Sequence, residues 1–483
     1  MKTRLILHAG LYTIGGVIAS VQYGKDRVIF EMGSAYSPET DVYDGFVLPR
    51  AKSWIRDAIR TGKAPAIHGL YRKQDLEGFM GLLPAEESDL NTAVFITHLH
   101  LDHMAGMGMV APSIPVYLNE NAAIIERALE ATGDGVPTLE REYTHFEANV
   151  PIRVGQIEVL PIITSNRSYR DFALLITTPD GTIHWTGDLS LHGEDAPLAI
   201  AQMEFLKAKG IDVLLCDSTS FMDDILLQMN NSTDPTTIIP SREIPPGMLD
   251  SADVERELFQ ILESQTGLCI FNSYQREMDE AKRYIEWAER VSRICVFEPD
   301  CAYIVYKFYG IRPNIFIPDS ARYPDSPDQQ SDWFRELLAN ATVVTREEIF
   351  ANPAHYLLQN SYRHVMELFD LPDEGGAYLH ADGIPIGDFD PAYKNLLRII
   401  NRTKFEYVTF FSKNYFGHGY PPQVKYFVDQ VDPKILIPCH GFNPERLLPN
   451  HGAQLLPVEG QPYIFSNGEL IPDNSYEHQD YLS

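Results

Sequence analysis

The chain has 483 residues, enough for two or three domains and a large core, and 44% of them are hydrophobic, with aromatics spread along the whole length. Its 67 acidic against 39 basic residues give a formal net charge of −28, which repels polyanions at long range and argues against sequence-independent nucleic-acid binding unless the cleft is locally basic or metal-filled. No apolar segment reaches bilayer-spanning length. Cys216, Cys269, Cys295, Cys301 and Cys439 form no CxxC pair and read as reduced thiols, so a cytoplasmic, membrane-free protein is expected.

The opening reads as strands over 5–7, 14–22 and 27–31, with turns at Gly15-Gly16 and 24–26. Lys2 and Arg4 ahead of an apolar run resemble a weak leader, but Tyr12 and the paired glycines interrupt it, and strand, turn and strand is the expectation. Residues 34–89 are mixed and polar, with a short helix near 51–60, and suggest an excursion over the face of a site. An apolar, β-prone run at 93–97 then ends in His98-Leu99-His100-Leu101-Asp102-His103. Four such polar groups at the end of a buried strand need partners. Alternate residues point the same way while Asp102 and His103 turn toward a second position, so the spacing predicts a dinuclear metal site.

Strands follow at 116–118, 157–163, 172–177 and 182–186, with a helix at 121–131 and a tight reversal at Pro179-Asp180-Gly181. The last strand runs into Gly187-Asp188, where glycine allows close backbone approach and the carboxylate reads as a bridging metal ligand. From 211 the pattern becomes regular alternation: strands at 212–216, 267–271, 294–297 and 378–380, helices at 253–264, 276–291 and 391–401. That rhythm predicts a parallel sheet with covering helices, a separate α/β layer. The final part has a strand at 405–411 leading to Asn414-Tyr415-Phe416-Gly417-His418-Gly419, a helix at 421–431 with proline in its first turn, and a strand at 434–438. It ends in Cys439-His440-Gly441, with His440 read as a further ligand.

The histidine string, Gly187-Asp188 and His440 resemble the metal-binding motifs of the metallo-β-lactamase superfamily. The resemblance implies an α/β fold, an αββα sandwich with two divalent ions between its sheets. More narrowly, Leu214-Leu215-Cys216-Asp217-Ser218-Thr219, the α/β segment, Gly417-His418 and Ile437-Pro438-Cys439-His440-Gly441 resemble the β-CASP branch, the ribonuclease J group most closely. This implies a metallo-β-lactamase domain at 1–217 and 405–483, interrupted by a β-CASP cap at 218–404. The implied ligands are His98, His100, Asp102, His103, Asp188 and His440, holding Zn²⁺ or Mn²⁺. Asp217, His418 and His440 stand at the branch's three extra motif positions, and a histidine at the third is similar to its RNA-acting members. The resemblance further implies hydrolysis of phosphodiesters in single-stranded RNA. Asp102 would orient or deprotonate the attacking water, His418 would bind the phosphate or protonate the leaving oxygen, and Asp217 would position His418. Asn166, Arg276, Asn414 and Gly417 join His418 as expected substrate contacts, and a homodimer is compatible with the sequence.

The chain departs from that pattern in several places. Counting back from Thr178-Pro179-Asp180-Gly181 puts Asn166, a poor ligand, at the third-motif histidine position, which leaves the first ion with His98, His100 and Asp188. Asn414 and Phe416 stand where the ribonuclease-like pattern has a histidine and a serine, and Gln275 replaces a cap histidine beside Arg276. No counterpart of the extra C-terminal domain of ribonuclease J relatives is expected. Two other readings therefore stand beside the nuclease: a metallo-hydrolase of a small ester, lactone or nucleotide, with Tyr415 and Phe416 lining an apolar pocket, and a catalytically impaired binding protein.

Overall fold

Residues two apart along the opening strands face one way, and that face is apolar. Leu5, Leu7, Val28, Phe30 and Phe95 from one sheet meet Val159, Leu174, Ile176, Trp185, Leu215 and Ile437 from another in one buried core. The computed structural model describes all residues except 38–41, 44–46, 166–169, 230–231, 381–382, 388–389, 410–414 and 476–483. It divides into two compact units, Met1–Ala123 with Val136–Gly247 and Phe416–Ser483, and Ile124–Gly135 with Met248–Tyr415. These divisions fall later than the 217/218 and 404/405 boundaries expected from sequence. Residues after 217 stay with the first unit because Phe221 and Leu226 are buried, Ser218 N donates to Cys439 O, and Ser241 N donates to Pro422 O.

The first unit has an eight-stranded sheet in the order Glu469–Pro472, Tyr463–Ser466, Thr3–Ala9, Ile18–Tyr23, Asp26–Phe30, Asn91–Phe95, Val116–Asn119 and Thr144–Phe146. Its seven-stranded partner runs Ala453–Gln454, Ile435–Cys439, Val213–Asp217, Gly181–Trp185, Phe172–Thr178, Ile157–Ile163 and Ile152–Val154. Outward-facing residues meet other elements. His184, between the inward Ile183 and Trp185, bonds Gln202 of the Ala196–Lys209 helix at 2.9 Å. Arg27 is covered by the 61–90 excursion through the His68 and Gly69 carbonyls.

Strand direction places the site. Asp26–Phe30 and Asn91–Phe95 are parallel, so Glu31 and the histidine string emerge from the same end of their sheet. Gly181–Trp185, Val213–Asp217 and Ile435–Cys439 are also mutually parallel, and deliver Asp188, Asp217 and His440 to one edge of theirs.

The second unit is a wholly parallel seven-stranded sheet: Thr342–Val343, Asn314–Ile315, Ile294–Phe297, Tyr356–Gln359, Cys269–Asn272, Ala377–His380 and Glu406–Thr409. Strands buried on both faces need covering helices, and the alternation read from 211 onward supplies them. The helix Pro299–Tyr309 is not declared by its composition, because Tyr303-Ile304-Val305-Tyr306 is β-prone. Proline in its first turn and left-handed Gly310 at its end define it instead. All five cysteines are buried and unpaired. Among the described residues, no helix is long and apolar enough to cross a membrane.

Candidate metal centre

Past Phe95 the chain continues through Ile96 and Thr97 to His98, then enters a single helical turn, Leu101–Met104, with His100 as its N-cap. That turn is seated by backbone contact: Gly16 N donates to Asp102 O at 2.8 Å. A Cβ on Gly33 would fall 1.7 Å from Asp102 O, so only glycine admits this approach.

His103 is the hub. Its Nε2 lies 2.9 Å from Asp188 Oδ1, 3.0 Å from His440 Nε2 and 3.8 Å from Asp102 Oδ2. His98 Nε2 and His100 Nδ1 stand 3.5 and 3.9 Å from Asp188 Oδ2, and His440 Nε2 is 3.2 Å from Asp102 Oδ2. Among the described residues, three groups have ligand atoms within 4.8 Å of one another: His98, His103 and Asp188; Asp102, His103 and His440; Asp188, Asp217 and His418. The sequence spacing sends His103 to a second position, whereas the helical turn brings it back so that it belongs to two groups.

The orienting partners explain why these rings aim inward. Glu31, fully buried at the end of its strand with φ of +61°, accepts hydrogen bonds from Trp185 Nε1 at 2.9 Å, from Thr97 Oγ1, and from His103 Nδ1 at 3.3 Å. Thr219 Oγ1 contacts His440 Nδ1 at 2.7 Å and Asp217 Oδ1 at 2.6 Å. With Nδ1 of each imidazole engaged by these partners, the Nε2 atoms of His103 and His440 face each other 3.0 Å apart, an arrangement that a cation between them satisfies. His98 Nε2 is likewise buried without a hydrogen bond. The donor set fits a divalent ion.

The electrostatics agree. Burial opposes charge on Asp102 and Asp188, yet His103 with His440 holds the first, and His103 with His418 and His98 holds the second, well below the usual carboxylate range. Against the same burial penalty, Asp188 and Asp102 raise His103 well above its ordinary value. These carboxylates thus favour positive charge at His103, as a proton or as a cation that takes its place. Zn²⁺ binding near pH 7 is expected to release about one proton per chain. Calorimetry in buffers of different ionisation enthalpy reads it, and a heat independent of buffer would contradict it. Glu31→Gln removes the carboxylate that orients His103 and is expected to weaken metal affinity by about 10–100-fold, measured by competition with a chelating dye.

His418 stands beside these groups. Its Nδ1 donates to Asp217 Oδ2 at 2.7 Å, and its Nε2 lies 3.9 Å from Asp188 Oδ2. Despite burial, Asp217 and then Asp188 lift it to about 9. The structure thus gathers His98, His100, Asp102, His103, Asp188, Asp217, His418 and His440 in the first unit. Gly417 is exposed, with open space where a Cβ would stand. Phe416 is half-buried, its ring centroid 5.5 Å from that of His418. Arg276 belongs to the second unit, where its charge is answered by Glu126 at 2.6 Å and the Asp134 carbonyl at 3.1 Å. Asn166 and Asn414 lie outside the described residues. Sequence reasoning missed Glu31, Thr97, Trp185 and Thr219; an acid closing an apolar strand was the one local signal, at Glu31.

Residues 75–239 match the beta-lactamase superfamily domain, which implies a metal-dependent hydrolase fold. The two-sheet first unit is consistent with a metallo-beta-lactamase fold. Among solved structures, the chain is similar to a protein of unknown function from Enterococcus faecalis V583, at 26% identity and a TM-score of 0.74, over 96% of this chain and 100% of that one. Two further matches are the metallo-beta-lactamase fold protein YhfI from Bacillus subtilis, at 17% identity and a TM-score of 0.27, over 45% of this chain and 73% of that one, and BJP-1, a subclass B3 metallo-beta-lactamase of Bradyrhizobium japonicum, at 14% and 0.27, over 44% and 76%. No functionally curated protein matches the chain.

Proposed function

We propose that this chain is a metal-dependent phosphodiester hydrolase that cleaves single-stranded RNA in the manner of ribonuclease J, with Met248–Tyr415 as its β-CASP-type domain. The observation that carries the reading is the Asp217–His418 pair at 2.7 Å, which keeps a protonated imidazole beside a His/Asp ion site. An ester with a strongly basic alkoxide leaving group needs that proton, whereas an activated ester does not. His98, His100, Asp102, His103, Asp188 and His440 would hold Zn²⁺ or Mn²⁺, which would supply a water of near-neutral pKa and offset phosphoryl charge. Asp102 would orient or deprotonate the attacking water. His418 passes its Nε2 proton to the leaving ribose oxygen while Asp217 retains the Nδ1 hydrogen bond. The same local positive charge offsets the acidic surface for an anionic substrate. A cytoplasmic location belongs to this reading.

A second reading, hydrolysis of a small ester, lactone or nucleotide, is favoured by Phe416, an apolar ring against His418 that cannot donate to phosphate. The test is to load the chelator-free chain separately with Zn²⁺ and Mn²⁺, offer 5′-monophosphorylated single-stranded RNA, a chromogenic phosphodiester and a lactone, and use His100→Ala as the control. RNA cleavage lost in the variant supports the nuclease. Activity confined to the small esters supports the second reading, and no hydrolysis of any substrate overturns both and leaves an impaired binding protein.

A further inference from the structure

We infer that His192 is a positioning residue, one that sets the reach of His418 by holding its main chain; the inference rests on the proposed role of His418 as proton donor. The segment that follows Asp188 touches His418, the next residue Gly419 and the carboxylate that holds the His418 ring. Leu189 N donates to Asp217 Oδ2 at 3.1 Å, which orients the carboxylate that holds the His418 ring. Leu189 O accepts from Gly419 N at 2.6 Å. His192 Nε2 lies 3.1 Å from the His418 carbonyl, and since a carbonyl only accepts, Nε2 carries the hydrogen and donates. The His192 ring is buried and stacked on Tyr420, with centroids 5.1 Å apart and planes 29° apart, so its direction is fixed by packing.

Gly417 is exposed and has no neighbour where a side chain would stand, so packing does not hold the residue that leads in. The peptide that bears the proton donor is held by Gly419 N on Leu189 and by His192 on the His418 carbonyl. One strand-end loop thus carries both a candidate metal carboxylate, Asp188, and the side chain that registers His418 against it. A shift of His418 by about 1 Å takes Nε2 out of reach of a leaving oxygen and costs on the order of 10²-fold in rate. Such a shift matters only where the leaving group needs a proton.

His192→Phe keeps a ring on Tyr420 and removes the donor; His192→Gln keeps an N–H donor. Two substrates separate positioning from general damage: a short single-stranded RNA, with an alkoxide leaving group, and uridine 5′-p-nitrophenyl phosphate, with an activated one. His192→Phe is expected to lower kcat about 10²-fold on RNA and only a few-fold on the p-nitrophenyl ester, with metal content unchanged and His192→Gln recovering most of the loss. Equal losses on both substrates, or no loss on RNA, overturn the inference. A second readout needs no turnover. In the chelated chain, the His418 Nδ1 proton shared with Asp217 is expected to exchange with solvent faster in His192→Phe than in wild type or His192→Gln, by proton NMR. Unchanged exchange overturns the positioning role even where hydrolysis is seen. Faster exchange in a wild-type background that hydrolyses neither substrate upholds the positioning and overturns the proposed function.

Discussion

His103→Ala is expected to cost the centre most of its metal. His103 is the one side chain, among the described residues, shared by the group with His98 and Asp188 and the group with Asp102 and His440. Its Nε2 lies 2.9 Å from Asp188 Oδ1 and 3.0 Å from His440 Nε2, at the centre of both groups. Alanine also leaves Glu31 as a buried carboxylate without its imidazole partner, which disfavours the folded arrangement around it. Metal content should fall to near background, and hydrolysis by on the order of 10³-fold or more, several kcal/mol of lost charge stabilisation. His440→Ala removes a ligand from one group alone and should retain part of the metal. Plasma emission spectroscopy on dialysed protein distinguishes the two, and equal metal in wild type and His103→Ala would remove His103 from the centre.

The second large effect concerns the proton. His418→Gln is expected to leave the ions in place and lower kcat on RNA by about 10²–10³-fold. Asp217→Asn tests the same pair through pH. His418 works in its protonated form, so the rate on a substrate with an alkoxide leaving group falls as pH rises through the pKa of the imidazole. Asp217 is the leading charge that lifts it to about 9 against burial. Asp188 and Asp102 add to the lift, and a cation on them offsets their share, so the alkaline limb lies no higher than about 9. Removing the Asp217 charge moves that limb down toward the ordinary histidine value, so the variant loses most at pH 8 and least near pH 6. A pH–rate profile with the same alkaline limb in Asp217→Asn and wild type would separate His418 from proton transfer.

How far the sequence went follows from distance along the chain. His98 to His103 are legible because a buried strand that ends in imidazoles and a carboxylate has no packing use for them, and all the evidence lies within one short stretch. Asp188, Asp217 and His440 are legible because each repeats the same local event, a polar group at the end of an apolar strand. The carboxylate that aims His103 is harder to see. Glu31 lies far from the string in sequence and meets it only because Asp26–Phe30 pairs in parallel with Asn91–Phe95. Thr219 and His192 are ordinary residues whose partners, His440 and His418, come from more than 200 positions away. The same logic separates the two units. Strand and helix alternation gives the parallel sheet of the second unit away, while its helix Pro299–Tyr309 is hidden by β-branched and aromatic residues that happen to be buried there.

Metal dependence tests the account most directly. The chain stripped with chelator should show no hydrolysis of 5′-monophosphorylated single-stranded RNA. Activity should then rise and saturate as Zn²⁺ or Mn²⁺ is titrated back, and no such rise should occur in His103→Ala. Cleavage that persists in excess chelator, or none with either ion at saturation, would contradict it.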